Sequence, residues 1–186
     1  MGLLEIRMFG DPVLRQRART VDDFDGRLRR LADDMLETMR EAEGVGLAAN
    51  QVGVLKRLFT WESHDEDTVS GGAVVNPVLV DASEDLQDGD EGCLSLPGLF
   101  YPLQRPLRVE VRHQDLDGEE HTVQFEGHLA RVWLHEMDHL DGVLFIDHLA
   151  AHDRRAATEA MRVRRLEEGS DRGGSRPGSL LLGGMG

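Results

Sequence analysis

Within His135-Glu136-Met137-Asp138-His139, two histidines stand four positions apart with a glutamate directly after the first. On an α-helix, residues at that spacing lie one turn above each other, so both imidazoles project to one side and can share a metal ion. Glu136 points about 100° further round, where its carboxylate can reach a water on the metal without being a ligand. A divalent metal lowers the pKa of such a water towards ~7, and the carboxylate takes and later returns the proton. The chemistry this spacing suits is metal-assisted hydrolysis. Alone the pattern is of limited specificity: in a chain with eight histidines it arises by accident at a rate of roughly a few per cent.

A catalytic site of this kind takes three protein ligands and keeps one position open. The extended protease pattern HExxHxxGxxH is nearly matched, with Gly142 in place, but its last position is Phe145, which cannot bind metal. Glu159, twenty residues after His139, lies at the distance from which another protease class takes a glutamate. Cys93, in "EGCLSLPG", offers a thiolate suited to a transition metal. A lone cysteine is more often a small buried residue than a ligand. Yet "DGDEGCLSLPG" is a Gly-punctuated loop that brings an acid, a thiol and a hydroxyl together, and a loop can deliver a ligand to a helix. On the residues alone, Glu159 and Cys93 both remain open.

These groups must be held by a fold. Apolar residues recur at helical spacing from Asp25 to Gly44 (Leu28, Leu31, Ala32, Met35, Leu36, Met39, Ala42), predicting an amphipathic core helix stopped by Gly44. "LFTW" (58 to 61) and "AVVNPVLV" (73 to 80) read as strands separated by a polar loop. In "LRVEVRH", Leu107, Val109 and Val111 share one face, and "DLDG" turns the chain into "EEHTVQFE", which makes a hairpin. The His-Glu motif rides on a second helix from near Gly127 to near Gly142 that also carries Val132, Trp133 and Met137. A third helix is expected from about His152 to Glu168. The order predicts an α+β fold in which antiparallel sheets pack around a central metal-binding helix, with an N-terminal amphipathic helix and a C-terminal helix. The Gly/Ser-rich segment 169–186 is expected to be a disordered tail.

The 186 residues suit one domain with a sizeable core. Forty per cent apolar and 30% charged residues are those of a soluble globular protein, and no apolar run approaches membrane-spanning length. The start lacks the pattern of a secretory signal, Ile6 stands where a myristoylation motif wants Ser or Thr, and the single cysteine fits a reducing compartment. Cytoplasm is the expected location. A net charge of −14 disfavours nonspecific binding to nucleic acid or anionic lipid. Arg154, Arg155, Arg162, Arg164 and Arg165 are a local exception, most simply a solvated helix surface.

Together "GVGLAANQVG" (44 to 53), "EGCLS" (91 to 95) and "HEMDHLDG" (135 to 142) closely resemble, in order and spacing, the three signature motifs of the peptide deformylase family. The likeness extends to "GDPVLR" (10 to 15) and covers nearly everything up to about residue 150, which would make 1–168 the catalytic domain. The resemblance implies that Cys93, His135 and His139 bind one divalent metal ion, natively Fe2+, with Zn2+, Ni2+ or Co2+ able to occupy the site. It implies that Glu136 is the general acid/base. The reaction would be hydrolysis of the formyl group from the N-terminal formylmethionine of new polypeptides, with the Gln51 side-chain amide and the Leu94 backbone N–H as donors to the developing oxyanion. Gly44, Val45 and Gly46 would lie along the extended peptide, Glu91 would position other groups, and Val45, His128 and Val132 match positions around the methionine side-chain pocket. N-formylmethionyl nascent peptides become the expected partners, with transient ribosome contact through the Arg-rich segment and no specific DNA or membrane binding. Leu134, where the family commonly has Gln, and the polar Arg131 and His128 depart from the family pattern and bear on the shape of that pocket. An HExxH metallopeptidase using Glu159, and a noncatalytic metal-binding homologue, are the competing readings.

Overall fold

A computed structural model describes residues 2–65 and 68–172. The expected first helix is α1 (Gly26–Glu41), capped by Asp25, whose Oδ1 accepts from the backbone N–H groups of Arg27 (2.9 Å) and Leu28 (3.0 Å). It stops before Gly44. Glu43 takes the left-handed conformation at φ 55°, and Gly44 is thereby free for a close approach described below.

Next comes β1 (Gly46–Ala48), a short strand not anticipated from the sequence, followed by β2 (Leu58–Asp65) and β3 (Thr68–Ala82). The segment read as a polar loop between the two expected strands is mostly ladder: Leu58↔Val75 runs in register through Asp65↔Thr68. Backbone pairing needs no apolar side chains, so a hairpin arm of polar residues escapes a search for hydrophobic alternation. The short strands β4 (Leu86–Gln87) and β7 (Arg105–Pro106) pair with each other, and so do β5 (Asp90–Cys93) and β6 (Leu96–Pro102). The expected hairpin is β8 (Arg108–Gln114) with β9 (Glu120–Glu126). Its turn is held by Asp115 Oδ1, which accepts from the N–H groups of Asp117 and Glu119.

The main sheet is antiparallel, in the order β1-β2-β3-β8-β9. Alternation sends Leu58 and Val75 to one face, where they meet Leu28, Met35 and Met39 of α1. Phe59, Val74, Val109 and Val111 point to the other face, against α2 (His128–Leu140). Trp133, 1% exposed, is the hub of that contact, with Phe59, Trp61 and Phe125 at ring separations of 5.2, 5.6 and 4.7 Å.

The helix α3 (Ala151–Arg172) docks Ala157 and Met161 onto Leu14, Leu96 and Phe145. It continues past Glu168, so its last residues overlap the expected tail, of which 173–186 lie outside the described residues. The fold is α+β with antiparallel sheets packed around α2, as expected; the β5–β6 hairpin beside it stands where a loop was expected. Among the described residues no helix is long and apolar enough to cross a membrane.

Candidate active site

The glycine-punctuated "EGCLS" segment is a hairpin rather than a loop, and its pairing shifts register between Gly92 and Cys93. That irregularity turns Cys93 towards α2. Its Sγ lies 3.2 Å from His139 Nε2, which is 3.2 Å from His135 Nε2. An ion bound tetrahedrally at ~2.1 Å from nitrogen and ~2.3 Å from sulfur separates its ligand atoms by roughly 3.3–3.6 Å. Both of these separations are close to the spacing such an ion imposes, the three ligand atoms all lie within 4.8 Å of one another, and the soft and borderline donors suit a divalent transition metal. Glu159 does not join them: it lies on α3, 64% exposed and paired with Arg162.

Burial lowers the pKa of His139 well below 6.5, aided by the positive charge of His135, which keeps a ligand nitrogen free of protons. At His135 burial acts in the same sense, but the hydrogen bonds to Cys93 and Glu91 and the negative charges of Cys93 and Glu136 outweigh it and raise the pKa. Positive charge is thus favoured between the sulfur and the carboxylate. Glu91 Oε2 is 3.0 Å from His135 Nδ1, which leaves Nε2 directed at Cys93 and His139.

Glu91 is 4% exposed. Burial pushes its carboxyl up, but bonds from His135 and Arg105 prevail and bring it down to about 2. Arg105 holds it through two contacts of 2.7 and 3.0 Å and also meets Asp138 at 2.8 Å, and Asp138 in turn takes His148 Nε2 at 2.8 Å. Arg131 adds a third guanidinium contact to Glu91 Oε1, 3.0 Å. The side chain of Arg105, 7% exposed, is taken up entirely by this network. Glu91 was expected to position other groups, but its partners Arg105, Arg131 and Asp138 escaped the sequence because they come from separate elements.

Glu136 is 3% exposed, and burial raises its pKa to about 7. Its carboxyl group lies directly against Gly46, where a Cβ would stand 2.8 Å from Glu136 Cδ and 2.9 Å from Cγ. A Cβ on Gly44 would likewise stand 2.7 Å from Leu94 Cδ1. Both glycines therefore make room for named side chains of the site itself. Gln51 is anchored through Oε1, which accepts from Ala48 N–H at 2.8 Å, and its Nε2 points at Cys93 Sγ (3.4 Å) and Ser95 Oγ (3.2 Å). Asn50 Nδ2 donates to the carbonyl of His139, tying the segment after β1 to the metal-binding end of α2.

A cavity of about 480 Å³ opens over these groups. Gly44, Val45, Gly46 and Gln51 form one wall, Glu91, Cys93 and Leu94 another, and His128, Val132, His135 and Glu136 the α2 side. His139, 1% exposed, lies behind. His128 is exposed at the mouth, whereas Arg131, the other polar departure on this helix, is buried. In the sheet order β1 is an edge strand, and an edge can pair with an extended peptide. Phe100, 69% exposed, caps the rim and rests on Gly92.

A family model described as polypeptide deformylase matches residues 3–155. The chain is 52% identical over 162 residues to a peptide deformylase from Parafrankia sp., covering 87% of each chain. It is 48% identical to peptide deformylase 1 from Corynebacterium glutamicum, covering 88% of this chain and 96% of that one. The crystal structure of the peptide deformylase from Thermus thermophilus superimposes with a TM-score of 0.80 at 47% identity, covering 89% of this chain and 97% of the other.

Proposed function

The chain belongs to the peptide deformylase family and is an enzyme that removes N-terminal formyl groups; from this premise we propose how its residues act. The substrate is the N-formylmethionyl end of a newly made polypeptide, and water is added across the formyl amide to give formate and a free amine. The observation that carries this reading is the convergence of Cys93 Sγ, His135 Nε2 and His139 Nε2 beside a buried Glu136.

Those three side chains hold one divalent ion, natively Fe2+, with Zn2+, Ni2+ or Co2+ as substitutes. When bound, the ion supplies a Lewis acid and makes water more acidic. Glu136 accepts a proton from the attacking water and hands it to the departing amine nitrogen. A carboxyl with a pKa near 7 suits both transfers at neutral pH. Gln51 Nε2 and the Leu94 N–H stabilise the oxyanion that develops as the formyl carbonyl is attacked. Glu91 orients His135.

Gly44, Val45 and Gly46 present the β1 edge to the peptide backbone, and Val45, His128 and Val132 receive the methionine side chain. The enzyme works in the cytoplasm, where its substrates arise. Arg154, Arg155, Arg162 and Arg165, exposed on α3, contribute with Arg164 to a transient ribosome encounter. Unchanged ribosome co-sedimentation after charge reversal at Arg162, Arg164 and Arg165 would remove that part.

The deciding experiment is formate release from formyl-Met-Ala-Ser by anaerobically purified protein, with metal content measured on the same sample and Glu136→Ala as control. Formate from the wild type, and none from a variant that keeps its metal, is the expected result. A fully metallated wild type that releases no formate would overturn the assignment.

A further inference from the structure

Arg131 stands four residues before His135 on α2, so the two side chains leave the same helix face one turn apart and can reach one carboxylate. They do. Arg131 Nη1 donates to Glu91 Oε1 at 3.0 Å, and His135 Nδ1 meets Glu91 Oε2 at 3.0 Å. The guanidinium makes two further bonds, from Nη1 to the carbonyl of Leu103 (2.8 Å) and from Nη2 to that of Gln87 (3.2 Å). One buried side chain thus fastens the metal-binding helix to β4, to Glu91 of β5 and to the segment following β6.

Charge gives the arrangement its reason. Arg105 is divided between two carboxylates, Glu91 and Asp138. His135 at Glu91 and His148 at Asp138 are titratable neighbours; of permanent charges, Glu91, Asp138 and Arg105 by themselves would leave an excess of one negative. Arg131 supplies the second cation and balances it, which matters because an uncompensated charge at this depth is strongly destabilising. Space is provided by Gly89. A Cβ there would lie 3.0, 3.2 and 3.3 Å from Nη2, Cζ and Nε of Arg131, so the guanidinium occupies the volume that a side chain at position 89 would fill.

Resting on the metal site proposed above, we propose that Arg131 is a positioning residue that fixes His135 through Glu91, and that Gly89 provides the matching space that admits its guanidinium. The residue that the sequence presents as a polar departure at the methionine pocket does line the cavity, and its guanidinium supports a metal ligand. It acts on metal retention and turnover more than on peptide affinity.

The test uses full-length protein loaded with Co2+, whose thiolate-to-metal absorption reports the Cys/His/His environment. Release of the ion to an excess of chelator and the kinetics of formyl-Met-Ala-Ser hydrolysis are followed on wild type, Arg131→Met, Gly89→Ala and the double variant. Loss of an outer hydrogen-bond partner commonly costs 10–100-fold in metal affinity, so Arg131→Met is expected to release Co2+ at least ~10-fold faster. Its kcat should fall while KM changes by less than about threefold. Gly89→Ala, which keeps every hydrogen-bonding group but crowds the guanidinium, should shift both readouts in the same direction by less. It should add nothing in the Arg131→Met background.

Arg131→Lys keeps the charge but not the fork, and is expected to fall between wild type and Arg131→Met. With Gly89→Ala it carries the test if Arg131→Met does not fold. Wild-type Co2+ release from Arg131→Met with only KM altered would overturn the proposal, as would an equal Gly89→Ala effect in both backgrounds. A wild type that binds Co2+ with a thiolate signature yet releases no formate would instead refute the deformylase reading, because metal release is measured without turnover.

Discussion

Replacing Gly46 by alanine places a methyl group where the structure has the Glu136 carboxyl. The new Cβ would stand 2.8 Å from Cδ and nearer still to Oε1, whereas ordinary contact begins at 3.4 Å, so the carboxyl must retreat by more than about 0.6 Å. The helix itself cannot give way, so the carboxyl must swing into the cavity it lines, away from its working position. Glu136 is 3% exposed on a helix whose neighbours Trp133, Met137 and Leu140 are locked in the core. A displacement of ~1 Å in a catalytic group can cost on the order of 10²-fold in rate, so about 30- to 100-fold is expected in kcat for Gly46→Ala. That is roughly 2–3 kcal/mol of barrier. Metal content should match wild type, because no ligand atom is touched. Steady-state formate release, metal analysis and thermal melting on the same preparations provide the assay. Since β1 also offers its edge to the peptide, Gly46→Ala must be repeated in a Glu136→Ala background. There it should cause little further loss in the residual rate. An equal loss in both backgrounds, or a Gly46→Ala enzyme within about threefold of wild type, would refute the idea that this glycine exists to admit Glu136.

Cys93→Ala should abolish stoichiometric metal binding, measured by elemental analysis after desalting, while Glu159→Ala should leave it intact because that side chain is paired with Arg162 on α3. Removing the metal by chelation should lower the melting temperature of the wild type but not of Cys93→Ala, since only a protein that binds the ion gains from it. Arg105→Ala would leave Glu91 and Asp138 short of a buried cation, and breaking such a pair typically costs 3–5 kcal/mol, so urea denaturation should show a loss on the order of that size. His113, against Trp133 at 5.4 Å, has its pKa lowered from 6.5, chiefly by burial. The unfolded chain then binds more protons than the folded one below about pH 6.5, so this residue makes stability fall as pH drops through that value and level off below the folded pKa. A melting-temperature profile between about pH 5 and 8 should flatten in His113→Phe, and an unchanged slope would exclude the residue as a source.

What was legible in the sequence is what short-range geometry determines. The helical repeat alone puts His135 and His139 on one side of α2 and Glu136 beside them, and the same periodicity gave α1 its buried stripe of Leu28, Ala32, Met35 and Met39. Alternation and turn chemistry sufficed for β8 and β9, and the motif order pointed to the family. Other features depend on segments that meet only after folding. On the residues alone Cys93 and Glu159 both stayed open and only the resemblance favoured Cys93; it is the register shift at Gly92/Cys93 that brings a sulfur 46 residues before His139 to the histidine pair. Gly46 read as a place for peptide to approach, and packing added Glu136 as its near neighbour. Arg131 read as a departure at the substrate pocket, yet its role depends on Gly89, Glu91 and Leu103, drawn from separate stretches of chain. Local backbone geometry decides which way a side chain leaves its element; only long-range packing decides what it meets.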